Sequence, residues 1–477
     1  MKKIIYSIFL TSVIFSCDVD ESHDTKNPTD VPGETLFANA QKELVDQMVN
    51  TNVNTNIFRL FSQYWTQTTY TDESNYDITT RTVPDNHWEA LYVDVIKDLS
   101  AARTAIEASA TATDTADDIA VRTNKLAIIS LIEAYTYQIL IDTFGNIPYT
   151  EALDINNVTP VYDDAKTIYQ ELITKIDTAL DDLDESTGSF GNSDLIYSGN
   201  VTNWVKFANS LKLKIGMTLA DADNALAKST VESAVSNLFT SNEDNAALAY
   251  LSALPNTNPL YEDLVASGRH DFVVANTIVD VMNTLEDPRR PFYFTATSDG
   301  SYIGGTYGAS NSYGSNSHPG ANMTTPTFEG TILDYVEVEF FLAEAVERGF
   351  AVSGTAEEHY NNAITASILY WGGTDAEATD YLAKSEVAYS SATGDYKQKI
   401  GTQKWFALYN RGFEGWTEWR RLDYPVLSAP TDGVINEVPK RFTYPIKEQT
   451  LNGANYNSAS SAIGGDLMTT KLFWDIN

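Results

Sequence analysis

The sequence predicts a mainly α-helical protein with one loop-rich, partly β region set into it. Three observations carry that expectation. Apolar residues recur three and four apart through long stretches of both halves of the chain. Proline, glycine, serine and asparagine rise between about 246 and 330, where no helical period survives. Elsewhere no linker is long enough to separate a pair of independent cores, so 35–477 reads as one composite domain.

The chain starts with "MKK", then "IIYSIFLTSVIF", then "SCDVDESHD". A short basic segment and a brief apolar run suit a secretory signal, since a membrane span needs about 20 apolar residues. The Ser16-Cys17 ending, although Phe15 is bulky for its place, is that of a bacterial lipoprotein signal. Residues 1–16 are therefore expected to be removed and Cys17, the sole cysteine, to be acylated. Residues 17–34 hold Asp18, Asp20, Glu21 and Asp24, followed by Pro28, Pro32 and Gly33, and read as an acidic flexible tether. The expected protein is anchored to a membrane without spanning it.

Helical signals fill 35–245. In "IAVRTNKLAIISLIEAYTYQILIDTFGNIPY", Ile128, Leu131, Ile132, Tyr135 and Ile139 share one face, and Gly145 and Pro148 supply a stop. "NHWEALYVDVIKDLSAARTAIEAS" before it, and "VYDDAKTIYQELITKIDTALDDLDES" and "TNWVKFANSLKLKIGMTLAD" after it, carry the same pattern. Together they suggest two irregular hairpins of tetratricopeptide size without that repeat's consensus. The loop-rich insertion covers 246–330, and helices return over 331–477. Thr355 with Glu358 and Thr374 with Glu377 have capping-box spacing. "DYKQKIGTQKWFALYNRG" is the last strong helix, and the tail after Pro425 reads as irregular.

Lys and Arg number 31 against 65 Asp and Glu, a net charge of −34 with a pI near 4.3. Such a surface repels phosphates, which argues against nucleic acid and anionic lipid heads as partners. No G-x-S-x-G nucleophile elbow and no glycine-rich phosphate loop occur, so an enzyme is not expected. His23, His87, His270, His318 and His359 are scattered without paired spacing, and structural or solvent-facing roles are favoured over metal binding. "DADNALAKSTVE" starts like a calcium loop but has Ala225 and Leu226 where a ligand and the turn glycine belong, so it reads as a helix–turn–helix junction. No metal or cofactor is expected, and a structural calcium is not indicated.

Two stretches stand above this background. "QYWTQTTYTDESNYD" (63–77), extended to Arg81, and "DGSYIGGTYGASNSYGSNSHPGA" (299–321) mix aromatic rings with short polar side chains or glycine. Sugars present C–H faces edged with hydroxyls, which suit aromatic faces beside amides, carboxylates and guanidinium groups. Candidate stacking residues are Trp65, Tyr70 and Tyr76 on one side and Tyr302, Tyr307 and Tyr313 on the other. Asp72, Asn75 and Arg81 are candidate polar contacts. The competing reading is packing: one of Tyr64 and Trp65 must face inward, and the second stretch can be a surface loop. On the residues alone the two readings stand level.

"DTFGNIPYTEAL" (142–153), "ANSLKLKIGMTLAD" (208–221), "YVEVEFFLAEAVERG" (335–349), "GFEGWTEWRRLDYP" (412–425) and "RFTYPIKEQTLNGANY" follow one another along the chain. In that order, behind a lipoprotein signal, they resemble the SusD/RagB-like outer-membrane nutrient-binding lipoproteins of Bacteroidetes. The resemblance implies a SusD-like helical fold on the cell surface, glycan captured without hydrolysis, and a SusC-like TonB-dependent transporter as partner. Some relatives handle peptides, so a peptide ligand is the alternative. It also implies that 142–153 and 412–425 are scaffold, with Trp416, Trp419, Arg420 and Arg421 as packing and ion-pair residues.

Overall fold

The computed structural model describes residues 31–476. The expected signal peptide, Cys17, His23 and most of the expected tether lie outside the described residues. Helix dominates, at 52% against 4% strand, which settles the mainly α class.

The first half runs through α1 (Gly33–Val49), α2 (Phe58–Phe61), β1 (Trp65–Gln67), α3 (Val83–Glu89) and α4 (Lys97–Ala108). A π-helical turn, Ala90–Ile96, joins α3 to α4. Then come α5 (Ala116–Phe144), α6 (Ala165–Asp182), α7 (Val201–Thr218) and α8 (Asn224–Ala234), each packed on the next. Thr115 and Asp118 form a capping box at the start of α5, and Gly145, at φ 88°, ends it. α5 is apolar enough to cross a membrane, yet 89% of its most apolar window is buried inside the protein. It is therefore the core helix, buried all round from Leu131 to Phe144 rather than along one face. Asp223 caps α8 by accepting from the Leu226 N–H, so the calcium-like stretch is a helix junction.

The middle region holds β2 (Ala246–Leu248), α9 (Pro259–Tyr261), β3 (Phe272–Val274), α10 (Asn276–Thr284), α11 (Arg290–Tyr293) and β4 (Gly330–Leu333). β1 pairs antiparallel with β3, Trp65 opposite Val274, and β2 pairs with β4. Short as it is, the first pair ties the loop-rich region to the start of the chain.

The C-terminal region contains α12 (Tyr335–Glu347), α13 (Ala356–Tyr370), α14 (Asp375–Leu382), α15 (Tyr396–Ala407) and α16 (Gly412–Leu422). Capping boxes form at Thr355/Glu358 and Thr374/Glu377. The tail is more regular than its sequence suggests, with α17 (Ile446–Leu451) and α18 (Gly453–Ala462). In α18 only Ala459 is buried, so no apolar stripe announces it.

The scaffold motifs meet in the core. The Arg420 guanidinium lies 3.6 Å over the Trp416 ring and donates to the Asp142 carbonyl at 2.7 Å. Arg421 bridges Glu344 on α12 at 2.6 Å and Glu418 at 2.7 Å. Trp416, Trp419, Arg420 and Arg421 are all buried and hold α16 in place.

Candidate functional site

Between Gln63 and Thr82 the backbone turns repeatedly through the left-handed region. Gln63 (φ 56°), Tyr70 (54°), Tyr76 (68°) and Thr82 (50°) all sit there without being glycine. Each costs about 1 kcal/mol or more, and such strain concentrates where side chains must be aimed. Hydrogen bonds hold the path. The Thr68 N–H donates to the Asp271 carbonyl (2.8 Å), and the Asn311 N–H donates to the Thr68 carbonyl (3.0 Å). The Gly308 N–H donates to the Thr66 hydroxyl (3.1 Å), and the Asn75 amide donates back to the Gly308 carbonyl (2.8 Å). A Cβ on Gly308, at φ 75°, would stand 2.3 Å from Pro430, so only glycine fits this turn. The two stretches singled out in the sequence thus form one structure.

Within it, most of the candidate rings are turned inward, a correction to the expected platform. Trp65 is fully buried, its indole N–H donating to the Tyr409 hydroxyl at 2.9 Å. Tyr76 is fully buried too, 6.3 Å from the Tyr307 ring, and burial pushes its phenol up to about 12. Tyr307 uses its hydroxyl on the Leu60 carbonyl at 2.7 Å. Asn75 is buried and uses its amide on Thr71 and Gly308. Tyr313 has both ring faces covered, by His270 at 4.0 Å and His318 at 3.6 Å. β-pairing and loop docking close over Trp65 and Tyr76, Tyr313 has no open face, and Tyr307 is half-buried. The Asn75 amide N–H groups are committed, while its Oδ1 is buried without a partner among the described residues.

Four candidates remain open. Tyr70 is 71% exposed. Arg81 is partly exposed and pairs with the buried Glu73. Asp72 is exposed but does not line the cleft below. Tyr302 is half-buried, with the Arg290 guanidinium 5.8 Å from its ring.

Tyr70 and Arg81 line a cleft of about 270 Å³ with Asn52, Asn54, Asp263 and Arg269. Arg269 pairs with Asp271, which leaves further N–H groups of both guanidinium groups to meet a ligand. Burial raises Asp263 above the usual carboxylate range, and Glu262 adds to this; the Thr51 N–H bonded to it partly offsets the shift. The cleft thus combines one exposed ring with donors and acceptors at close quarters, an arrangement suited to hydroxyl-rich ligands.

Across the segment Arg269–Phe272 lies a second depression of about 180 Å³, lined by His270, Tyr313 and His318. Here the exposed His270 caps the three-ring stack. Sequence reasoning missed Asp263, Arg269 and His270. Arg269 and His270 have as their only signal a position just before a β-like run. The β1–β3 pairing brings these two beside Tyr70, and Asp263 reaches the cleft from the π-helical turn Glu262–Ala266. Among the described residues no group of His, Cys, Asp and Glu could hold a metal ion.

Over residues 25–445 the sequence matches the SusD-like family model described as starch-binding and associating with the outer membrane. The chain belongs to the SusD-like family. Solved structures with the same fold include a chitin-binding protein at 25% identity and TM-score 0.77, over 93% of this chain and 100% of that one. A SusD homologue from Bacteroides uniformis is 26% identical with TM-score 0.78, over 93% and 99%. A Bacteroidetes SusD-like protein at 22% identity has TM-score 0.80, over 94% and 100%, and speaks to fold alone. A comparison with curated proteins returned no match.

Proposed function

We propose that this SusD-like protein is a lipid-anchored, cell-surface receptor that captures oligosaccharides and passes them to a SusC-like TonB-dependent transporter. The observation that carries the reading is the exposed Tyr70 ring beside Arg81, Arg269 and Asp263 in one cleft. Capture is an equilibrium event: a sugar face stacks on the ring while its hydroxyls exchange water for guanidinium donors and carboxylate acceptors. A stacking contact contributes about 1 kcal/mol beyond the area it buries, so a few give affinities of roughly micromolar to millimolar. No bond in the ligand is broken, and no cofactor takes part. The family description and a chitin-binding relative of the same fold support glycan as the ligand. Acylation at Cys17 supplies the anchor.

The test is a glycan array and an affinity-gel series with the mature protein. Retention by at least one polysaccharide, recovered intact, is the expected result. Binding to a peptide library with no glycan retained would replace this reading with peptide capture. Release of shorter products would replace it with hydrolysis.

A further inference from the structure

Lys440 and Asp475 come from separate stretches of the tail that the fold presses together. On one side the Trp416 indole N–H donates to the Pro439 carbonyl at 2.7 Å, and the Arg420 guanidinium donates to the Lys440 carbonyl at 2.8 Å. The Lys440 N–H donates in turn to the Met468 carbonyl at 2.7 Å. On the other side the Trp474 indole N–H donates to the Asp142 carboxyl at 2.9 Å, and the Asp475 N–H to the Leu472 carbonyl at 3.0 Å. With both backbones fixed, the Lys440 amine stands 4.0 Å from an Asp475 carboxyl oxygen. The Asp475 side chain is fully buried, and neither of its oxygens has a hydrogen-bond partner among the described residues. The Lys440 amine lies 4.3 Å from the centre of the Trp419 ring, on a side chain only 11% exposed. Lys471 also approaches Asp475, at 3.7 Å, but from the solvent side. We propose that Lys440 and Asp475 condense into an intramolecular isopeptide bond, a covalent tie between the end of the described chain and the segment before α17.

An ordinary buried ion pair closes to hydrogen-bonding distance, as Lys404 does with Glu418 at 2.9 Å. There Arg421 joins in and keeps the carboxylate charged. No arginine pairs with Asp475 among the described residues. Burial raises the Asp475 carboxyl above the usual range and lowers the Lys440 amine below its own, so each moves toward its neutral form. A neutral amine held beside a neutral carboxylic acid is the pair that condenses. The Lys440 Nζ attacks the Asp475 Cγ and forms the C–N bond. The C–OH bond then breaks, and one amine proton leaves with the hydroxyl as water. Nothing is oxidised or reduced, and no co-reactant is consumed. The fixed backbones supply the proximity that such a slow step needs. The product replaces two poorly paired buried groups with one neutral amide. It also closes a loop across α17 and α18 that the unfolded chain cannot open.

The test is peptide mapping by mass spectrometry of the folded full-length protein, held at neutral pH for several days before it is denatured and digested. Wild type should yield a branched peptide lighter by one water than its two parts, with fragment ions that place the link at Lys440 and Asp475. Lys471→Met should keep that branch. Lys440→Arg, which retains the charge and most of the packing, should abolish it, and so should Asp475→Ala. Separate linear peptides carrying unmodified Lys440 and Asp475 in wild type would overturn the proposal, and that result stands whether or not any variant folds. A branch at Lys471 instead, or a loss of water confined to Asp475 with no second peptide attached, would overturn it as well.

Discussion

Tyr70 and Trp65 belong to one short stretch and stand in opposite surroundings. Trp65 is enclosed, bonded to Tyr409 and flanked by the Arg59 guanidinium 5.1 Å from its ring. Tyr70 is 71% exposed at the mouth of the cleft. Truncating them separates packing from recognition. Trp65→Ala should lower stability by about 3–5 kcal/mol, read as a fall in melting temperature. Tyr70→Ala should leave the melting temperature within a degree or two and weaken retention in a glycan affinity gel several-fold. A Tyr70→Ala protein that melts early and binds normally would reverse the assignment. Ring identity was legible in the sequence; ring orientation was not. Residues 63–82 have no regular period, and each left-handed residue re-aims the side chains that follow.

At the scale of elements, local chemistry set the helix starts. The Thr355/Glu358 and Thr374/Glu377 boxes satisfy N–H groups within a single turn, so their spacing alone predicts them. α17 and α18 escaped notice because they are held mostly by what touches them, as when the Asn452 and Asn455 amides donate to the Pro160 carbonyl. A buried ion pair joins α16 to α12, Arg421 to Glu344, and Arg421 also pairs with Glu418 on its own helix. Burial opposes charge on Glu418, but Arg421 and then Lys404 outweigh it and hold its carboxyl down at about 2. Arg421→Met should cost about 3 kcal/mol in urea unfolding, because Glu344 keeps Arg348 and Glu418 keeps Lys404. Adding Glu344→Gln should recover some of the loss; a double variant no better than the single would refute the pairing.

For the whole molecule, two buried groups give stability opposite dependences on pH. Burial among Phe58, Phe144 and Phe442 lowers His87 to about 3. Below pH 6.5 the unfolded chain takes up a proton that folded His87 refuses, so its contribution falls as pH drops from 6.5 toward 3. Burial raises Asp142 to about 6, against the pull of the Tyr169 hydroxyl and Arg420. The folded state then holds a proton between about 4 and 6 that the unfolded state has lost, so this contribution grows as pH drops through that window. Each slope is about 1.4 kcal/mol per pH unit, and between about pH 6 and 4 they oppose one another. Asp142→Asn should therefore lose stability relative to wild type as pH falls from about 6 to 4, and His87→Gln should gain it. Parallel stability–pH curves for both variants and wild type would refute the assignment.

The sequence by itself determined the mainly α class, the start of the capped helices, the end of α5 at Gly145 and the order of the family's scaffold motifs. Each depends on contacts within a turn or two, or on a pattern that many residues share. Tertiary structure decided which rings meet water and which polar groups face them. Tyr70 meets Arg269 only because β1 pairs with β3, strands far apart along the chain, and Trp65 is hidden by that same pairing. The exposure of a ring depends on everything packed around it, and that surface exists only once distant segments have come together.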